Sequence, residues 1–268
     1  MSAPPQLPVR CRRAGAGRAV QRVLLLHGMG GGVGVWDPMD EAMAAGFELW
    51  DCELPWSMGA SPRWAFDRDP AAWLTAAVDG FVRATYAPPD LIVAHSFAAN
   101  LALEAAGTPA GPGSVPTVLV NPFFRPAPED FEWGSIAHYA RGFQRMFDEG
   151  LRLRAGARFT DAERERLAER LCVLTGPYPW LRFYDVFLRA ALRGFEEFTA
   201  PTLLVGGDQD RGAEPEGVRA LGRRIPNARV EILDQCGHFP MIEQPGRLAG
   251  LLAEFAQQGE PAVPASAS

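Results

Sequence analysis

Short apolar runs separated by stretches of helical periodicity recur along this chain of 268 residues. Continuous apolar runs of this length are typical of strands buried on both faces, as in a parallel sheet covered by helices. Strands that alternate with helices predict a doubly wound, mostly parallel α/β sheet. The predicted strands are Val23–Leu26, Phe47–Trp50, Leu91–Ala94, Val115–Val120, Thr202–Val205 and Val230–Leu233, and the predicted helices are Pro70–Tyr86, Phe97–Ala106, Glu214–Ile225 and Pro245–Gln258.

A long segment interrupts this alternation. Residues 121–198 contain no strand-like run, are rich in aromatic residues and show apolar spacings that predict helices over Ile136–Leu153, Ala162–Leu174 and Trp180–Leu192. We therefore expect a helical insertion over 121–198, mounted on a core formed by 1–120 and 199–258. Residues 259–268 are small and rich in proline, alanine and serine, which predicts a flexible C-terminal tail.

Charge and cysteine spacing restrict the chemistry that is available. The net charge of −6 argues against general nucleic-acid binding, because no excess of positive charge can neutralise phosphates. All 26 basic residues are arginines, which excludes a lysine Schiff base, a lysine general base and a P-loop lysine. The cysteines, at positions 11, 52, 172 and 236, are far apart, which predicts free thiols and neither a disulfide framework nor a metal site.

The sequence shows no targeting or membrane segment. Residues 1–13 have no apolar core of the kind that signal peptides carry, and glycine and proline interrupt the longest uncharged stretch, 105–124. These features predict a cytoplasmic protein with no membrane partner. Nothing in the sequence indicates an oligomeric state.

Ser96 lies where a predicted strand turns directly into a helix, in the sequence Ala94-His95-Ser96-Phe97-Ala98. Such a turn lifts the serine out of the sheet, in front of the N–H groups of the helix N-terminus. Strand and helix approach closely there, so the positions two before and two after the serine must be small. Alanine occupies both, where the nucleophile-elbow pattern has glycine. The pattern predicts a nucleophilic serine, with simple helix capping as the alternative.

A glycine-rich turn, His27-Gly28-Met29-Gly30-Gly31-Gly32, follows another strand. It can present the backbone N–H of Met29 as an oxyanion donor, with the N–H of Phe97 as its partner. The alternative is a phosphate cradle, but the chain lacks both a dinucleotide-binding G-x-G-x-x-G context and a P-loop lysine. We expect His27 to hold the turn through its ring nitrogens.

Two further strands end in residues that can complete a relay with Ser96. Gly206-Gly207-Asp208-Gln209-Asp210 follows one strand, and Cys236-Gly237-His238-Phe239-Pro240 follows the last. Such strands end at the ligand-binding edge of the sheet, so an aspartate and His238 are expected beside Ser96. The residues alone leave both Asp208 and Asp210 as candidates.

With these four motifs, the sequence resembles the serine hydrolases of the α/β-hydrolase superfamily, from Arg22 to about Gln258 apart from the insertion. The resemblance implies an α/β-hydrolase core with a helical cap at 121–198. It implies a catalytic triad of Ser96, Asp210 and His238 and an oxyanion hole at Met29 and Phe97. A triad acid after the preceding strand would need a carboxylate where Asn121 stands.

The implied activity is hydrolysis of a carboxylic ester, thioester or lactone of a small, largely apolar substrate through an acyl-enzyme, with no cofactor and no metal. A thioester of CoA or of a carrier protein belongs to this class. The same triad could instead serve acyl transfer, C–C bond hydrolysis or a lyase or cyclase step, or the pocket could bind a ligand without turnover. A serine at the elbow excludes the dehalogenases and epoxide hydrolases of this fold, which use aspartate there.

Candidate substrate-binding residues come from the glycine-rich turn, the insertion and the histidine loop, because pockets are mostly apolar. They are Gly28, Trp36, Phe123, Phe124, His138, Tyr139, Phe143 and Phe239. His138 and four arginines of the insertion, at positions 141, 145, 152 and 154, could reach a substrate carboxylate or phosphopantetheine. Solvated helix faces are the favoured interpretation of these residues.

Overall fold

The computed structural model describes residues 7–17, 20–67, 69–107 and 112–258, which are built around a seven-stranded, mostly parallel sheet. The strands are β1 Val9–Arg13, β2 Gln21–Leu26, β3 Phe47–Cys52, β4 Leu91–His95, β5 Thr117–Val120, β6 Thr202–Gly207 and β7 Ala228–Leu233. Their spatial order is β1-β3-β2-β4-β5-β6-β7, with β1 antiparallel to β3 and every other neighbouring pair parallel. This arrangement confirms the predicted α/β architecture.

Helices cover both faces of the sheet. They are α1 Asp37–Ala42, α2 Ala72–Thr85, α3 Phe97–Ala105, α4 Trp133–Ala155, α5 Asp161–Thr175, α6 Pro177–Ala190, α7 Pro215–Gly222, α8 Pro240–Glu243 and α9 Pro245–Gln258. On β2, Leu24 and Leu26 pack with α2 and α3, whereas Val23 and Leu25 pack with α1 and α9. Because successive strand residues point to opposite faces, only an unbroken apolar run can serve both layers. Within the described ranges, no helix has both the length and the apolar character that a membrane crossing requires.

The edge strand β1 has no counterpart among the predicted strands, since Val9-Arg10-Cys11-Arg12-Arg13 contains no apolar run. Its backbone pairs with β3, and charge pairing between the two strands adds to this contact. The Nε of Arg10 lies 2.8 Å and the Nη1 of Arg12 lies 3.1 Å from the carboxylate oxygens of Asp51, which is buried. Edge strands are commonly polar, so apolar periodicity gives little signal for them.

Helices α4, α5 and α6 connect β5 to β6, where the sequence predicts an insertion. A capping box between Thr160 and Glu163 begins α5, and the Nε of Arg164 binds Asp148 of α4 at 2.7 Å. The buried side chains of α6 belong to the same apolar cluster as those of α3. A separate cap domain at 121–198 stays a prediction, and the predicted tail at 259–268 lies outside the described residues.

Gly207, at the end of β6, lies against the loop that follows β7. A Cβ atom at this position would collide with the carbonyl oxygens of Cys236 and Gly237, so the backbone of that loop would have to shift. We expect Gly207→Ala to lower the free energy of unfolding by about 1–3 kcal/mol, as overpacking typically does. Urea denaturation measures this change.

Gly250→Ala is the matched control. Gly250 lies on α9, and a Cβ atom there meets no neighbouring atom. Alanine favours the helix over glycine, so stability should rise by up to about 1 kcal/mol. If Gly207→Ala were as stable as the parent chain, the close approach between the end of β6 and the loop after β7 would be refuted.

Candidate active site

The ends of β4, β6 and β7 bring three of the predicted residues into one hydrogen-bonded row. The Oγ of Ser96 lies 3.0 Å from the Nε2 of His238. The Nδ1 of the same ring lies 2.6 Å from the Oδ2 of Asp210. All three side chains are buried, which shields the row from competition with bulk water.

Ser96 has a backbone conformation that side chains rarely adopt, with φ 56° and ψ −120°. A strained conformation of this kind costs on the order of 1–3 kcal/mol and persists only where its surroundings impose it. Here the N–H of Ser96 binds the carbonyl of Val120 at 2.8 Å, and its own carbonyl accepts the N–H of Asn100 at 3.1 Å. Ala94 and Ala98 are fully buried on either side. The small residues around Ser96 thus permit the sharp turn that the sequence predicts.

The two candidate aspartates have different environments. Asp210 is buried, and while its Oδ2 faces His238, its Oδ1 accepts the N–H groups of Gly212 at 2.8 Å and Ala213 at 3.0 Å. Asp208 is exposed, and its Oδ1 accepts the N–H of Cys236 at 3.1 Å. Of the two carboxylates, the one of Asp210 is therefore hydrogen-bonded to the imidazole.

The loop that carries His238 is held by side chains that the sequence did not single out for this purpose. The two carboxylate oxygens of Glu243 accept the N–H groups of Gly237 at 2.8 Å and Phe239 at 2.9 Å, on either side of the histidine. The Nδ2 of Asn121 donates to the carbonyl of Gly237 at 3.1 Å. These bonds fix the backbone from which the imidazole projects.

His95 supports the same loop from β4. Its Nε2 lies 2.9 Å from the carbonyl oxygen of His238, and burial holds its pKa well below the ordinary value. A neutral ring that faces a carbonyl must carry its proton on that nitrogen, so His95 donates this hydrogen bond. The rings of Trp36 and His95 also contact each other, nearly at right angles, with centroids 6.5 Å apart.

The pKa of His238 is raised above its ordinary value of 6.5. Burial lowers it, but the charge of Asp210 and the hydrogen bond to that carboxylate raise it, with help from the charges of Glu149 and Glu243. The surroundings therefore stabilise an imidazolium when the ring accepts a proton.

The N–H groups of Met29 and Phe97 form no hydrogen bond with any residue that the structure describes, and both residues line the cavity beside Ser96. Phe97 is the first residue of α3, where helical N–H groups have no intrahelical partner. His27 supports the turn before Met29: its Nε2 accepts the N–H of Leu54 at 3.1 Å, and its Nδ1 lies 2.9 Å from the carbonyl of Gly28. Two backbone donors are thus available at the same end of the cavity as Ser96.

A cavity of about 120 Å³ opens above this row. Its walls are mainly apolar and include four of the eight predicted substrate-binding residues, Gly28, Phe123, Phe143 and Phe239, together with Met29, Ser96, Phe97 and His238. The ring of Phe123 also packs against the His238 ring, with centroids 5.7 Å apart.

The other four predicted binding residues do not line this cavity. Trp36 is fully buried behind His95. Phe124 points into the apolar core, His138 is half exposed and lies 3.7 Å from Glu214, and the hydroxyl of Tyr139 accepts a hydrogen bond from Arg125. Sequence periodicity could not resolve which face of each segment turns towards Ser96.

One helical stripe of α4 supplies wall residues that the prediction missed. Besides the predicted Phe143, these are Met146, Phe147, Gly150, Leu151 and Arg154, and Leu171 and Phe183 join them from α5 and α6. The α4 residues recur at intervals of three and four, so they share one face of the helix. The spacing was visible in the sequence, but the orientation of the helix was not.

Comparison with known proteins gives a family match over most of the chain. The family model described as "Alpha/beta hydrolase family" matches residues 23–251. Monoacylglycerol lipase ABHD6 of Bos taurus is 33% identical over 63 residues, which are 24% of this chain and only 19% of the lipase. A pimeloyl-[acyl-carrier protein] methyl ester esterase of Nitrosospira multiformis is 25% identical over 256 residues, covering 88% of this chain and 94% of the esterase.

Solved structures share the fold at lower identity. A meta-cleavage product hydrolase from Pseudomonas fluorescens superposes with a TM-score of 0.65 at 21% identity, over 95% of both chains. A thermophilic esterase from Thermogutta terrifontis gives a TM-score of 0.63 at 17% identity, over 95% of this chain and 94% of that one.

Proposed function

This chain belongs to the alpha/beta hydrolase family, and we propose that it is a serine hydrolase that cleaves a carboxylic ester or thioester through an acyl-enzyme on Ser96. The observation that carries this proposal is the buried row from Ser96 through His238 to Asp210 at the base of an apolar cavity. The esterase and lipase names of the relatives agree with this class of reaction.

In the first step, Ser96 attacks the acyl carbon while His238 accepts the proton of its hydroxyl. A serine hydroxyl is a weak nucleophile at neutral pH and needs such a base. The 3.0 Å separation between Oγ and Nε2 suits direct proton transfer. Asp210 orients the ring by accepting a hydrogen bond from the protonated Nδ1, and it stabilises the imidazolium that forms when the ring takes the proton of Ser96.

The negative charge that develops on the acyl oxygen would lie between the N–H groups of Met29 and Phe97. Their lack of partners among the described residues supports this role, since an oxyanion donor must be free before substrate binds. The positive end of the α3 dipole adds to the stabilisation at Phe97. One donor of this kind contributes on the order of 10²–10³ to kcat.

Collapse of the tetrahedral intermediate breaks the bond from the acyl carbon to the leaving oxygen or sulfur, and the proton held by His238 moves to the leaving group. A water molecule then attacks the acyl-enzyme with His238 again as the base, which releases the acid and restores Ser96. The aromatic and aliphatic walls suit a largely apolar acyl group. Thioesters of CoA or of a carrier protein fall within the same proposal.

The proposal is tested by incubating the protein with a series of 4-nitrophenyl alkanoates and, separately, with a fluorophosphonate probe. We expect release of nitrophenol that saturates with substrate, and covalent labelling that peptide mass spectrometry assigns to Ser96. Labelling at another residue, or neither labelling nor turnover, would refute the proposal. Labelling without turnover of any ester would favour the ligand-binding alternative.

The pH dependence of kcat/KM gives a separate test of His238. Only the neutral ring can accept the proton of Ser96, and the pKa of this group is raised above 6.5. Activity should therefore fall as the pH drops through that raised pKa, so the acid limb should lie above pH 6.5. Initial rates at low substrate between about pH 5 and pH 9 measure it. An acid limb below the ordinary histidine value would contradict the role assigned to the charge of Asp210.

A further inference from the structure

The cavity-facing stripe of α4 ends in a charged residue. Phe143, Met146, Phe147, Gly150 and Leu151 are apolar or small, whereas Arg154, one turn further along, carries a guanidinium to the same wall. At 1.5 Å per residue, Arg154 lies about 16 Å along the helix from Phe143. The stripe passes close to the row: a Cβ atom on Gly150 would lie 3.3 Å from the ring of Phe239.

Arg154 forms no hydrogen bond and no ion pair with any residue that the structure describes. Asp37 is the acid whose charge acts on it, but that carboxylate is already paired with Arg12. Some other arginines of the insertion have acidic partners, such as Arg164 with Asp148 at 2.7 Å, and those without one among the described residues, such as Arg152, do not line the cavity. Arg154 is thus a cation at the wall whose donors are not used.

The charges around Arg154 agree with a position beside it that can accept an anion. Arg154 is exposed as a whole residue, but its partial burial against the wall lowers its pKa, and the charge of Asp37 acts in the opposite direction. Its own charge lowers the pKa of the buried rings of His27 and His95, so the field of the guanidinium reaches the base of the cavity. Of the ionisable side chains on the wall, Arg154 alone carries a permanent charge among the described residues.

We infer that the substrate carries a carboxylate at the end remote from the scissile bond, and that Arg154 binds this carboxylate. This inference rests on the proposed function and adds the substrate class to it. A guanidinium can donate two parallel hydrogen bonds to a carboxylate. A phosphate dianion would leave one charge without a partner against otherwise apolar walls. The stripe passes the row at Gly150, about 6 Å along the helix from Arg154, so the wall at Gly150 and Leu151 then lies beside the methylene chain between the two ends.

The test compares mono-4-nitrophenyl esters of adipate and suberate with neutral 4-nitrophenyl alkanoates of matched length. We expect Arg154→Gln to lower kcat/KM for the better anionic ester about 10- to 100-fold more than for its neutral match, the range of a lost charge-assisted hydrogen bond. Arg154→Lys keeps the charge but not the two parallel N–H donors of the guanidinium, and it should recover part of the loss.

Arg152→Gln is the matched control, because Arg152 lies in the same last turn of α4 and is exposed like Arg154, but does not line the cavity. It removes the same charge from the helix and should leave the ratio of anionic to neutral rates unchanged. Equal losses for both ester types in Arg154→Gln, or no loss in either, would overturn the inference while leaving the proposed function in place.

A measurement of adipate binding tests the inference without relying on ester turnover. The full-length Ser96→Ala protein is titrated with adipate by calorimetry, with and without Arg154→Gln. We expect the second substitution to weaken binding of adipate about 10- to 100-fold. If no ester is turned over but this difference is found, the proposed function fails and the carboxylate site stands. Tighter Arg154-dependent binding of inorganic phosphate than of adipate would refute the choice of carboxylate.

Discussion

Replacing Ser96 by alanine is expected to abolish ester turnover, with a loss on the order of 10⁶ in kcat. The substitution removes only the hydroxyl oxygen, which is the atom proposed to form the acyl bond. The backbone hydrogen bonds that hold the turn use the N–H and carbonyl of residue 96 and stay in place. Rates with a 4-nitrophenyl ester measure the loss, and the melting temperature shows whether the fold is retained.

Ser61→Ala is the matched control for this prediction. Ser61 is exposed, precedes a short 3-10 helix and makes no side-chain capping bond. Its replacement should leave both turnover and fluorophosphonate labelling intact, whereas Ser96→Ala should lose both. Turnover by a folded Ser96→Ala protein at the parental rate would eliminate the acyl-enzyme on this residue.

Asp210→Asn is expected to lower kcat by about 10⁴-fold. The Oδ1 of Asp210 accepts two N–H groups, from Gly212 and Ala213, so an asparagine would keep its oxygen there and turn its NH₂ towards His238. The Nδ1 of His238 would then have to accept that hydrogen bond, which places the ring proton on Nε2. A ring protonated on Nε2 cannot take the proton of Ser96.

Asp208→Asn should change kcat little, which makes it the matched control. Asp208 is exposed and holds the N–H of Cys236 through one oxygen, a bond that an asparagine oxygen can also make. Measurements on both variants with the same ester and a check of melting temperature decide the assignment. The opposite ranking would identify Asp208, and not Asp210, as the acid of the triad.

The fold could be predicted well for strands that are buried on both faces and for helices that bury one face. The central strands β2, β4, β5 and β6 coincide with continuous apolar runs because both faces of each are covered. The helix α9 has the predicted bounds, whereas the predicted helix Glu214–Ile225 shortens to Pro215–Gly222. The edge strand β1 escaped prediction because it is polar: its backbone pairs with β3, and Arg10 and Arg12 pair with Asp51.

The candidate site likewise contains residues that could be predicted from the sequence and supporting residues that could not. Ser96 follows directly on β4, and the two aspartates and His238 lie in the loops that follow β6 and β7. Parallel strands of one sheet deliver their following loops to the same edge. Their grouping was therefore predictable from order along the chain. The side chains of His95 and Glu243 form hydrogen bonds with the backbone of the loop that carries His238. No local sequence pattern predicts such bonds.

Local order along the chain was enough to predict the α/β class, the serine turn and the residues that gather at one sheet edge, because strand and helix periodicities arise from neighbouring residues. Packing between distant segments decided the rest. It placed Asp210 against the imidazole and turned Asp208 to Cys236, and it set the rotation of α4 that brings Arg154 to the cavity while His138 faces outward. A helix of given sequence can present any of its faces to a sheet, so only its tertiary contacts select the residues that line the site.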